Sequence, residues 1–409
     1  MTNVTSYPKE RIKVLLLENI HPSAAQMMSD DGLSVEVQSA ALGEQELCDK
    51  IEDVHMLGIR SKTRVTPKVL ESARRLLSVG CFCIGTNQVA LEAASKRGVV
   101  VFNAPFSNTR SVAELVLSEI IALSRKLMDQ SKNMHQGIWT KTATGSFEVR
   151  GKTLGIVGYG HIGRQVGVLA EALGMHVVFY DIVQRLPMGN NREVGSLKEL
   201  LASSDFVTLH VPATEQTRKM IGPDQLAQMK KGSRLLNLSR GNVVDIPALA
   251  DALRSAHLSG AAIDVFPSEP QSNQERFESP IQGLANVILT PHVGGSTEEA
   301  QAAIGKEVAI TLLKFLNTGS TLSAVNFPKV EPTQMRGRHR ILNIHRNVPG
   351  VLSSINTIIS ELNANVESQV LETNSDVGYL VMDLDRDVSE EVRARVSALE
   401  TNIRTRILY

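Results

Sequence analysis

The sequence predicts an α/β protein with two parallel sheets and a small C-terminal ferredoxin-like domain, and three observations support this prediction. Short apolar runs alternate with helical patterns over residues 13–103 and again over residues 153–289. Such alternation is typical of parallel sheets covered by helices on both faces. A glycine-rich turn opens the second series. Residues 340–408 instead show the order βαββαβ, which is the ferredoxin-like arrangement.

The first series contains five short apolar runs that predict strands. These runs are Val14–Leu17, Val35–Val37, Leu57–Ile59, Leu77–Cys83 and Val99–Phe102. Amphipathic patterns at Pro67–Leu76 and Gln88–Lys96 predict helices between them. A longer helix is then expected, with Ser107 or Thr109 as its N-cap and Glu114–Met128 within it.

The second series contains six predicted strands, as a doubly wound sheet requires. They are Thr153–Val157, His176–Tyr180, Phe206–Leu209, Arg234–Leu238, Gly260–Ile263 and Val287–Leu289. The motif Ser296-Thr297-Glu298-Glu299 predicts a capping box that opens a helix to about Asn317. Pro328 and Pro332 then mark Thr318–Met335 as a connector.

The C-terminal segment is predicted to hold four strands and two helices. In chain order these are a strand at Arg340–Arg346, a helix from Pro349 through Leu362, strands at Val366–Glu372 and Gly378–Asp383, a helix at Glu390–Leu399 and a strand at Ile403–Leu408.

The composition excludes several classes of protein. The 43 basic residues balance 43 acidic ones, which argues against nucleic-acid binding and against attachment to an anionic membrane by charge. No apolar run is long enough to span a bilayer. Three cysteines, Cys48, Cys81 and Cys83, give no disulfide framework and no metal-ligand spacing. The sequence therefore indicates a soluble cytoplasmic protein without a metal.

The glycine-rich turn predicts a dinucleotide site. Gly158, Gly160 and Gly163 have the spacing that permits a tight turn, close approach of the backbone to a pyrophosphate, and close helix packing. The following helix, starting near His161, can hold the phosphates at its N-terminus. Asp181 ends the next strand, where a carboxylate accepts from ribose hydroxyls and repels a 2′-phosphate. NAD is therefore expected rather than NADP.

Four chemically active side chains follow strands of the second series. They are Arg240, Asp264, Glu269 and His292. Ligands of an open parallel sheet bind at the carboxyl ends of its strands, so we expect these side chains to converge.

Their chemistry suits oxidation of a 2-hydroxy acid. His292 can take the hydroxyl proton as general base, and Glu269 can hold its other ring nitrogen. Arg240 can bind the substrate carboxylate and polarise the C2 oxygen. Asp264 is expected to position the nicotinamide ring or to tune the His292–Glu269 pair.

Three segments resemble the signatures of the D-isomer-specific 2-hydroxyacid dehydrogenases. They are Asn237–Gly241, Asp264–Pro270 and Pro291–Thr297. The resemblance extends nearly end to end and is closest to the shorter bacterial members that carry a C-terminal ACT domain. It implies a Rossmann-type nucleotide domain inserted into a flavodoxin-like substrate domain, with the ACT domain as the ferredoxin-like part. The implied bounds are 1–107 and 297–335 for the substrate domain with its connector, 108–296 for the nucleotide domain and 336–409 for the ACT domain.

The same resemblance implies roles for individual residues. Arg240, Glu269 and His292 are implied to be catalytic. The implied NAD contacts, the three motif glycines included, are Gly158, Gly160, His161, Ile162, Gly163, Asp181, Leu238, Ser239, Arg240, Asp264, His292, Val293, Gly294 and Gly295.

The implied substrate is 3-phospho-D-glycerate, whose phosphate needs cations. Candidates for substrate binding are Arg60, Ser61, Lys62, Asn108, Lys141 and Arg240. Ser39 stands about where related enzymes have a lysine, and Lys62 stands for an arginine.

The ACT resemblance implies an amino-acid effector, L-serine. His345, Asn347 and the N–H groups of Gly350 and Val351 would grip it, with Asn365 supplied by a neighbouring subunit. Arg336-Gly337-Arg338 departs from the paired glycines expected at this hinge.

The implied function is NAD-dependent oxidation of 3-phosphoglycerate to 3-phosphohydroxypyruvate, the first step of L-serine biosynthesis, inhibited by serine. Reduction of 2-oxoglutarate is a further expected activity, and a homotetramer is the expected assembly. The alternatives are a glyoxylate or hydroxypyruvate reductase, and a nucleotide-sensing regulator that keeps the dehydrogenase fold without catalysis.

Overall fold

The computed structural model describes residues 7–270, 274–332, 339–385 and 388–408. The chain divides into two compact units, Met1–Ser107 with Gln301–Tyr409, and Asn108–Ala300. No helix in the described ranges is long and apolar enough to cross a membrane. The Arg336-Gly337-Arg338 segment lies outside the described residues.

The first unit begins with a parallel five-stranded sheet. Its strands are β1 (Lys13–Leu16), β2 (Ser34–Val37), β3 (Met56–Ile59), β4 (Ser78–Cys81) and β5 (Val100–Asn103). The strand order β2-β1-β3-β4-β5 is flavodoxin-like, as predicted. The connecting helices are α1 (Pro22–Asp30), α2 (Glu44–Lys50), α3 (Pro67–Ser72) and α4 (Leu91–Lys96). Because both faces of the sheet are covered, its central strands are apolar at nearly every position.

Helix α4 is shorter than the predicted Gln88–Lys96. Val89 forms a parallel bridge with Val65, which keeps the backbone before Leu91 extended. The predicted helix Pro67–Leu76 likewise ends at Ser72, because Ala73 leaves the helical region with a ψ of 70°. The periodicity of a segment does not show which distant residues its backbone pairs with, so the Val65–Val89 bridge could not be predicted from it.

The second unit begins with two helices, α5 (Thr109–Arg125) and α6 (Leu127–His135), where one was predicted. Lys126 separates them with a left-handed φ of 49°. Asn108, rather than Ser107 or Thr109, occupies the N-cap position of α5.

The rest of the second unit is a doubly wound sheet. In chain order its elements are β6 (Thr153–Val157), α7 (His161–Ala172), β7 (His176–Tyr180), β8 (Arg192–Glu193), α8 (Leu197–Ser203), β9 (Phe206–Leu209), α9 (Pro223–Gln228), β10 (Arg234–Asn237), α10 (Ile246–Arg254), β11 (Gly260–Ile263) and β12 (Val287–Leu289). The seven strands pair in the order β12-β11-β10-β9-β6-β7-β8, all parallel. Strand β8 was not predicted because it is a two-residue, exposed edge strand without an apolar run.

Helix α11 (Glu298–Thr318) follows. The Thr297 hydroxyl, not that of Ser296, accepts from the third helical N–H, that of Ala300, at 3.2 Å. Thr297 therefore takes the capping role that the sequence motif assigned to Ser296.

The C-terminal elements are β13 (His339–Arg346), α12 (Val351–Glu361), β14 (Val366–Thr373), β15 (Val377–Leu384), α13 (Ser389–Ser397) and β16 (Asn402–Leu408). The antiparallel order β14-β15-β13-β16 is ferredoxin-like, as predicted. One face of this sheet shares a core with α11, in which Leu342, Ile344 and Val381 pack with Leu312 and Phe315.

Polar contacts also join this sheet to the end of α11. The buried guanidinium of Arg340 binds both carboxylate oxygens of Asp383, at 2.6 and 2.8 Å, and donates to the carbonyl of Thr318 at 3.0 Å. The Tyr379 hydroxyl donates to the carbonyl of Gly319 at 2.6 Å. The C-terminal sheet and the parallel sheet thus belong to one packed unit.

Candidate active site

The glycine-rich turn between β6 and α7 fits a dinucleotide. Gly158 has a φ of +91°, and a Cβ there would collide with the backbone carbonyl of His210. A Cβ on Gly163 would collide with the carbonyl of Gly158, whereas a Cβ on Gly160 would meet nothing within 4 Å. Gly158 and Gly163 therefore shape the turn, and Gly160 leaves open space where a pyrophosphate must approach the backbone.

Helix α7 begins at His161, directly after this turn, with Gly160 as its N-cap residue. Its first N–H groups and its dipole make this end of the helix suited to phosphates. Ile162 is half-buried and packs on the core beneath the turn. The predicted contacts of His161 and Ile162 thus lie on the element that would carry the pyrophosphate.

Asp181 follows β7 beside the same turn. Its carboxylate accepts from the N–H of Tyr159 and from the N–H of Val183, each at 2.9 Å. Arg185 lies 3.4 Å from the same carboxylate. These contacts fix the carboxylate at the strand exit and leave further lone pairs for ribose hydroxyls.

We expect Asp181→Ala to weaken NADH binding more than NADPH binding. The variant loses the acceptor for the ribose hydroxyls, and it releases Arg185, which can then pair with a 2′-phosphate. Fluorescence titration of both nucleotides measures the two dissociation constants. Equal losses for NADH and NADPH would count against the ribose role, and Asp224→Ala, on the exposed start of α9, is the control.

Asp264 anchors the loop that carries His292. The side chain is 1% exposed, and one carboxylate oxygen accepts from the Thr290 hydroxyl at 2.6 Å and from the N–H of Val293 at 2.8 Å. The other oxygen accepts from the N–H of Gly294 at 2.9 Å. With these three hydrogen bonds the carboxylate holds residues 290–294 in place. The sequence analysis did not predict this role for Asp264.

His292 and Glu269 form the expected pair. The Nδ1 atom of His292 lies 2.9 Å from Glu269 Oε2, and Glu269 Oε1 accepts from the N–H of Phe266 at 3.0 Å. His292 has a φ of +55°, a conformation that is rare for residues other than glycine. The anchored loop therefore holds the imidazole with Nδ1 on a carboxylate, which leaves Nε2 as the nitrogen for proton transfer.

The hydrogen bond between His292 and Glu269 and the charges around them outweigh the effects of burial on both side chains. The hydrogen bond to Glu269 raises the pKa of His292, as do the charges of Glu269 and Asp264, against burial and the charge of Arg240. Burial alone would raise the pKa of Glu269, but hydrogen bonds from His292 and Phe266 and the charges of His292 and Arg240 hold it below its ordinary value. The imidazolium form of His292 is thus stabilised beside an ionised Glu269.

Arg240 lies at the exit of β10, close enough for its charge to act on both Glu269 and His292. Its guanidinium donates to the carbonyl of Ser239 at 2.6 Å. A Cβ on Gly241 would collide with the backbone of Phe266, so the two loops are in close contact. Three strand exits therefore bring Arg240, Glu269 and His292 together.

The buried residues Leu238 and Ser239 complete the turn before Arg240. The Asn237 side chain accepts from the N–H and the hydroxyl of Ser239, at 3.1 and 2.8 Å, and donates to the carbonyl of Arg240 at 3.0 Å. This side chain fixes the backbone that presents Arg240.

Asn108 lies against Gly295 at the start of α5. A Cβ on Gly295 would collide with the Asn108 side-chain amide. The Asn108 Oδ1 atom is buried and has no hydrogen-bond partner among the described residues. This buried oxygen, beside Gly294 and Gly295, is suited to accept a hydrogen bond from a bound ligand.

The candidate phosphate cations belong to different units. Arg60, Ser61 and Lys62 follow β3 in the first unit, whereas Lys141 is an exposed residue of the second. The buried Glu18 carboxylate accepts from the N–H groups of Arg60, Lys62 and Thr63, at 3.1, 2.9 and 2.8 Å. Glu18 thus fixes the backbone of this loop.

The candidate effector residues occupy two ends of α12. His345 is buried, and its Nε2 atom has no hydrogen-bond partner within the described ranges. The Asn347 side chain donates to the carbonyl of Asn374 at 2.7 Å, and Gly350 precedes the helix with a φ of +89°. Asn365 is exposed beyond the other end of α12.

Sequence reasoning missed three residues near the predicted site. Thr290 donates to Asp264. Glu119 is buried, and burial and then the charge of Asp264 raise the pKa of its carboxyl to about 8. The backbone of His210 lies against Gly158, and its buried Nδ1 atom has no hydrogen-bond partner among the described residues. His210 directly follows β9, so the strand-exit rule that identified Arg240 would have identified it. In the described ranges, no group of three or more His, Cys, Asp or Glu side chains could hold a metal ion.

Comparisons with known proteins agree with this architecture. Residues 117–294 match the model of the D-isomer specific 2-hydroxyacid dehydrogenase NAD binding domain, and residues 341–404 match the AHAS small subunit-like ACT domain. The chain is 55% identical over 409 residues to D-3-phosphoglycerate dehydrogenase of Dictyostelium discoideum, covering 100% of both chains. It is 51% identical over 407 residues to the Escherichia coli K12 protein of the same name, covering 99% of both.

A solved structure is similar to this one over most of the chain. The TT0316 protein from Thermus thermophilus superimposes with a TM-score of 0.70 at 31% identity, covering 77% of this chain and 100% of that one.

Proposed function

Because the chain belongs to the D-3-phosphoglycerate dehydrogenases of the D-isomer-specific 2-hydroxyacid dehydrogenase family, we propose that it oxidises 3-phospho-D-glycerate to 3-phosphohydroxypyruvate with NAD. This reaction begins the biosynthesis of L-serine. The observation that supports it most strongly is the His292–Glu269 pair beside Arg240, on a loop that Asp264 anchors.

His292 is proposed to move the proton. Its Nε2 atom takes the C2 hydroxyl proton, and Glu269 stabilises the resulting imidazolium through Nδ1. NAD, when bound, supplies the hydride acceptor. Oxidation needs a neutral imidazole, so its rate rises with pH through the raised pKa of His292, whereas the reverse reaction needs the imidazolium and is favoured below it.

Arg240 is proposed to hold the substrate. A guanidinium binds a carboxylate with two parallel hydrogen bonds, and it polarises the C2 oxygen as negative charge develops there. Arg60, Ser61, Lys62 and Lys141 are proposed for the phosphate. NAD is proposed to contact the turn at Gly158–Gly163, Asp181, the turn at Leu238–Arg240, Asp264 and the loop at His292–Gly295.

The experiment that tests the function measures NADH oxidation by pure protein with 3-phosphohydroxypyruvate, with and without L-serine. Activity that serine suppresses would support the proposed substrate, the proposed cofactor and the proposed effector together. A preference for unphosphorylated hydroxypyruvate or glyoxylate would favour the reductase alternative, and no turnover of any 2-oxo acid would favour the regulator. We also propose 2-oxoglutarate as a slower substrate, to be measured in the same assay.

We propose that L-serine binds at His345 and Asn347 and inhibits by favouring one state of the enzyme. His345→Ala should raise the fraction of activity that survives saturating serine, because it removes the buried ring whose Nε2 atom has no partner among the described residues. The measurement is a serine titration of the initial rate. His339→Ala, at the other end of the same strand, should remain inhibited, and full inhibition of His345→Ala would place the ligand elsewhere.

We further propose that the protein is a homotetramer in the cytoplasm, formed through contacts of the nucleotide unit and of the ACT sheet. Apolar side chains on and after α6 support the first contact. Met128, Met134 and Ile138 are about half exposed, and Trp139 is 76% exposed. Exposed clusters of this kind mark subunit interfaces. Sedimentation analysis tests the assembly, and a monomer at micromolar concentration would contradict it.

A further inference from the structure

Glu18 follows strand β1 in a backbone conformation that residues other than glycine rarely adopt. Its φ is +62° and that of Asn19 is +53°, so two consecutive residues are left-handed. Structures keep such residues only where their surroundings require them, and they cluster at functional sites. Glu18 is also only 8% exposed, although an ionisable carboxyl group is seldom buried unless it is paired. This turn therefore calls for an explanation in terms of what the Glu18 side chain does.

The turn directs the Glu18 carboxylate to the backbone that follows β3. Oε1 accepts from the N–H groups of Arg60 and Thr63, at 3.1 and 2.8 Å, and Oε2 accepts from the N–H of Lys62 at 2.9 Å. Hydrogen bonds to a carboxylate are stronger than those between neutral groups. One buried side chain thus fixes the N–H groups of the segment that carries the proposed phosphate ligands.

Gln88 fixes the same segment through its carbonyl groups and its neighbours. The Gln88 Nε2 atom donates to the carbonyl of Arg60 at 2.6 Å, and the backbone carbonyl of Gln88 accepts from the N–H of Val65 at 2.8 Å. Glu18 follows β1 and Gln88 follows β4, and these are the two strands that flank β3 in the sheet. The segment after β3 is therefore held from both sides.

These contacts determine which groups remain for a substrate phosphate. The N–H groups of Arg60, Lys62 and Thr63 already bind a carboxylate, so they cannot form a backbone cradle for an anion. Ser61 and Lys62 are exposed, and Arg60 is partly exposed. A phosphate at this segment would therefore be bound by side chains, whose positions depend on the backbone that Glu18 holds.

We propose that Glu18 is a positioning residue that sets the preference of the enzyme for a phosphorylated substrate. It holds the backbone of Arg60 and Lys62 so that both cations are presented together to one phosphate group, and Gln88 supports the same backbone from the other side. The inference rests on the proposed function, because it takes Arg60, Ser61 and Lys62 as the phosphate ligands. It adds a buried residue that does not itself bind the substrate.

The substitution Glu18→Gln separates this positioning role from an effect of charge. The amide oxygen of glutamine can replace Oε1, but its NH2 group then faces the N–H of Lys62, and two donors cannot form a hydrogen bond. The segment should shift, so kcat/KM for 3-phosphohydroxypyruvate should fall about tenfold or more, since small displacements of a binding group are costly. The value for unphosphorylated hydroxypyruvate should fall much less.

The opposite result is expected if Glu18 acts only through its charge. Removal of a negative charge beside the phosphate ligands would then strengthen phosphate binding and raise the preference for 3-phosphohydroxypyruvate over hydroxypyruvate. A preference in Glu18→Gln that equals or exceeds the wild-type value would overturn the proposal. Glu46→Gln, on the exposed face of α2, is the matched control and should keep the wild-type preference.

A second variant tests the other side of the segment. Gln88→Met removes the donor to the Arg60 carbonyl without adding a charge, and it should lower the same preference. This variant also serves if Glu18→Gln does not fold, and an unchanged preference in Gln88→Met would overturn the proposal.

Two further measurements separate failure of this inference from failure of the proposed function. If Arg60→Ala and Lys62→Ala lower the preference for the phosphorylated substrate and Glu18→Gln does not, the phosphate ligands stand and the inference fails. The other measurement needs no activity, because hydrogen exchange at the Lys62 N–H reports directly on its bond to Glu18. This N–H should exchange faster in Glu18→Gln than in wild type. Equal exchange would overturn the inference even if the protein turned over no 2-oxo acid.

Discussion

Replacing His292 with alanine should lower kcat in both directions by roughly 1,000-fold and leave NADH binding nearly intact. General acid–base catalysis by a positioned side chain contributes about 10²–10⁴-fold, and the Nε2 atom of His292 is the proposed proton carrier. Most of the proposed NAD contacts, among them the turn at Gly158–Gly163 and Asp181, lie outside the substituted side chain, so the loss of the His292 contact alone should weaken NADH binding only slightly. Steady-state kinetics and NADH fluorescence titration measure the two effects.

Two comparisons make the His292 result decisive. His176→Ala changes an exposed histidine at the start of β7 and should leave kcat unchanged. A His292→Ala protein that still catalysed hydride transfer at the wild-type rate would remove the general base from the proposal. Loss of NADH binding together with kcat would instead show that the substitution had displaced the loop.

Substituting Arg240 with lysine should lower kcat/KM for 3-phosphoglycerate by about 100-fold, since hydrogen bonds to charged groups are each worth about 1.5–3 kcal/mol. Lysine keeps the charge but not the planar pair of donors that matches a carboxylate. In the native chain the guanidinium also donates to the carbonyl of Ser239. Initial rates over a range of substrate concentrations separate KM from kcat.

The matched control for Arg240→Lys is Arg218→Lys, which alters an exposed ion pair with Glu215 and should have no kinetic effect. If Arg240→Lys changed neither KM nor kcat, the substrate carboxylate would have to bind elsewhere. A loss confined to phosphorylated substrate would assign Arg240 to the phosphate instead.

Sequence reasoning predicted the strands of the second unit closely because their apolar runs are buried on both faces. Thr153–Val157, His176–Tyr180 and Phe206–Leu209 have the predicted bounds. The strand-exit rule then indicated which side chains could meet, and the structure brings Arg240, Glu269 and His292 close enough to influence each other. Parallel sheets make such predictions possible because all strand exits lie at one edge.

The features that escaped prediction depend on contacts between distant parts of the chain. Lys126 interrupts the predicted long helix because its backbone is left-handed, a conformation that L-residues other than glycine rarely adopt. Asp264 was assigned to the nicotinamide ring or to the His292–Glu269 pair because nothing in the sequence shows that Thr290, Val293 and Gly294 would donate to it. Nothing in the sequence distinguishes Glu119 from the exposed polar residues of α5, and only the structure shows that it is buried.

The junction of the C-terminal sheet with α11 bears on how this protein unfolds and how it can be dissected. Leu342, Ile344 and Val381 share a core with α11, and Arg340 donates to the carbonyl at its end. A fragment that stops after Thr318 would expose an apolar surface to water, and a free C-terminal fragment would expose its counterpart. The C-terminal domain therefore cannot be transferred unchanged to another enzyme, because the face of its sheet that packs on α11 is part of the core of the first unit. Heat and denaturant should melt it together with the parallel sheet, as a single cooperative unit.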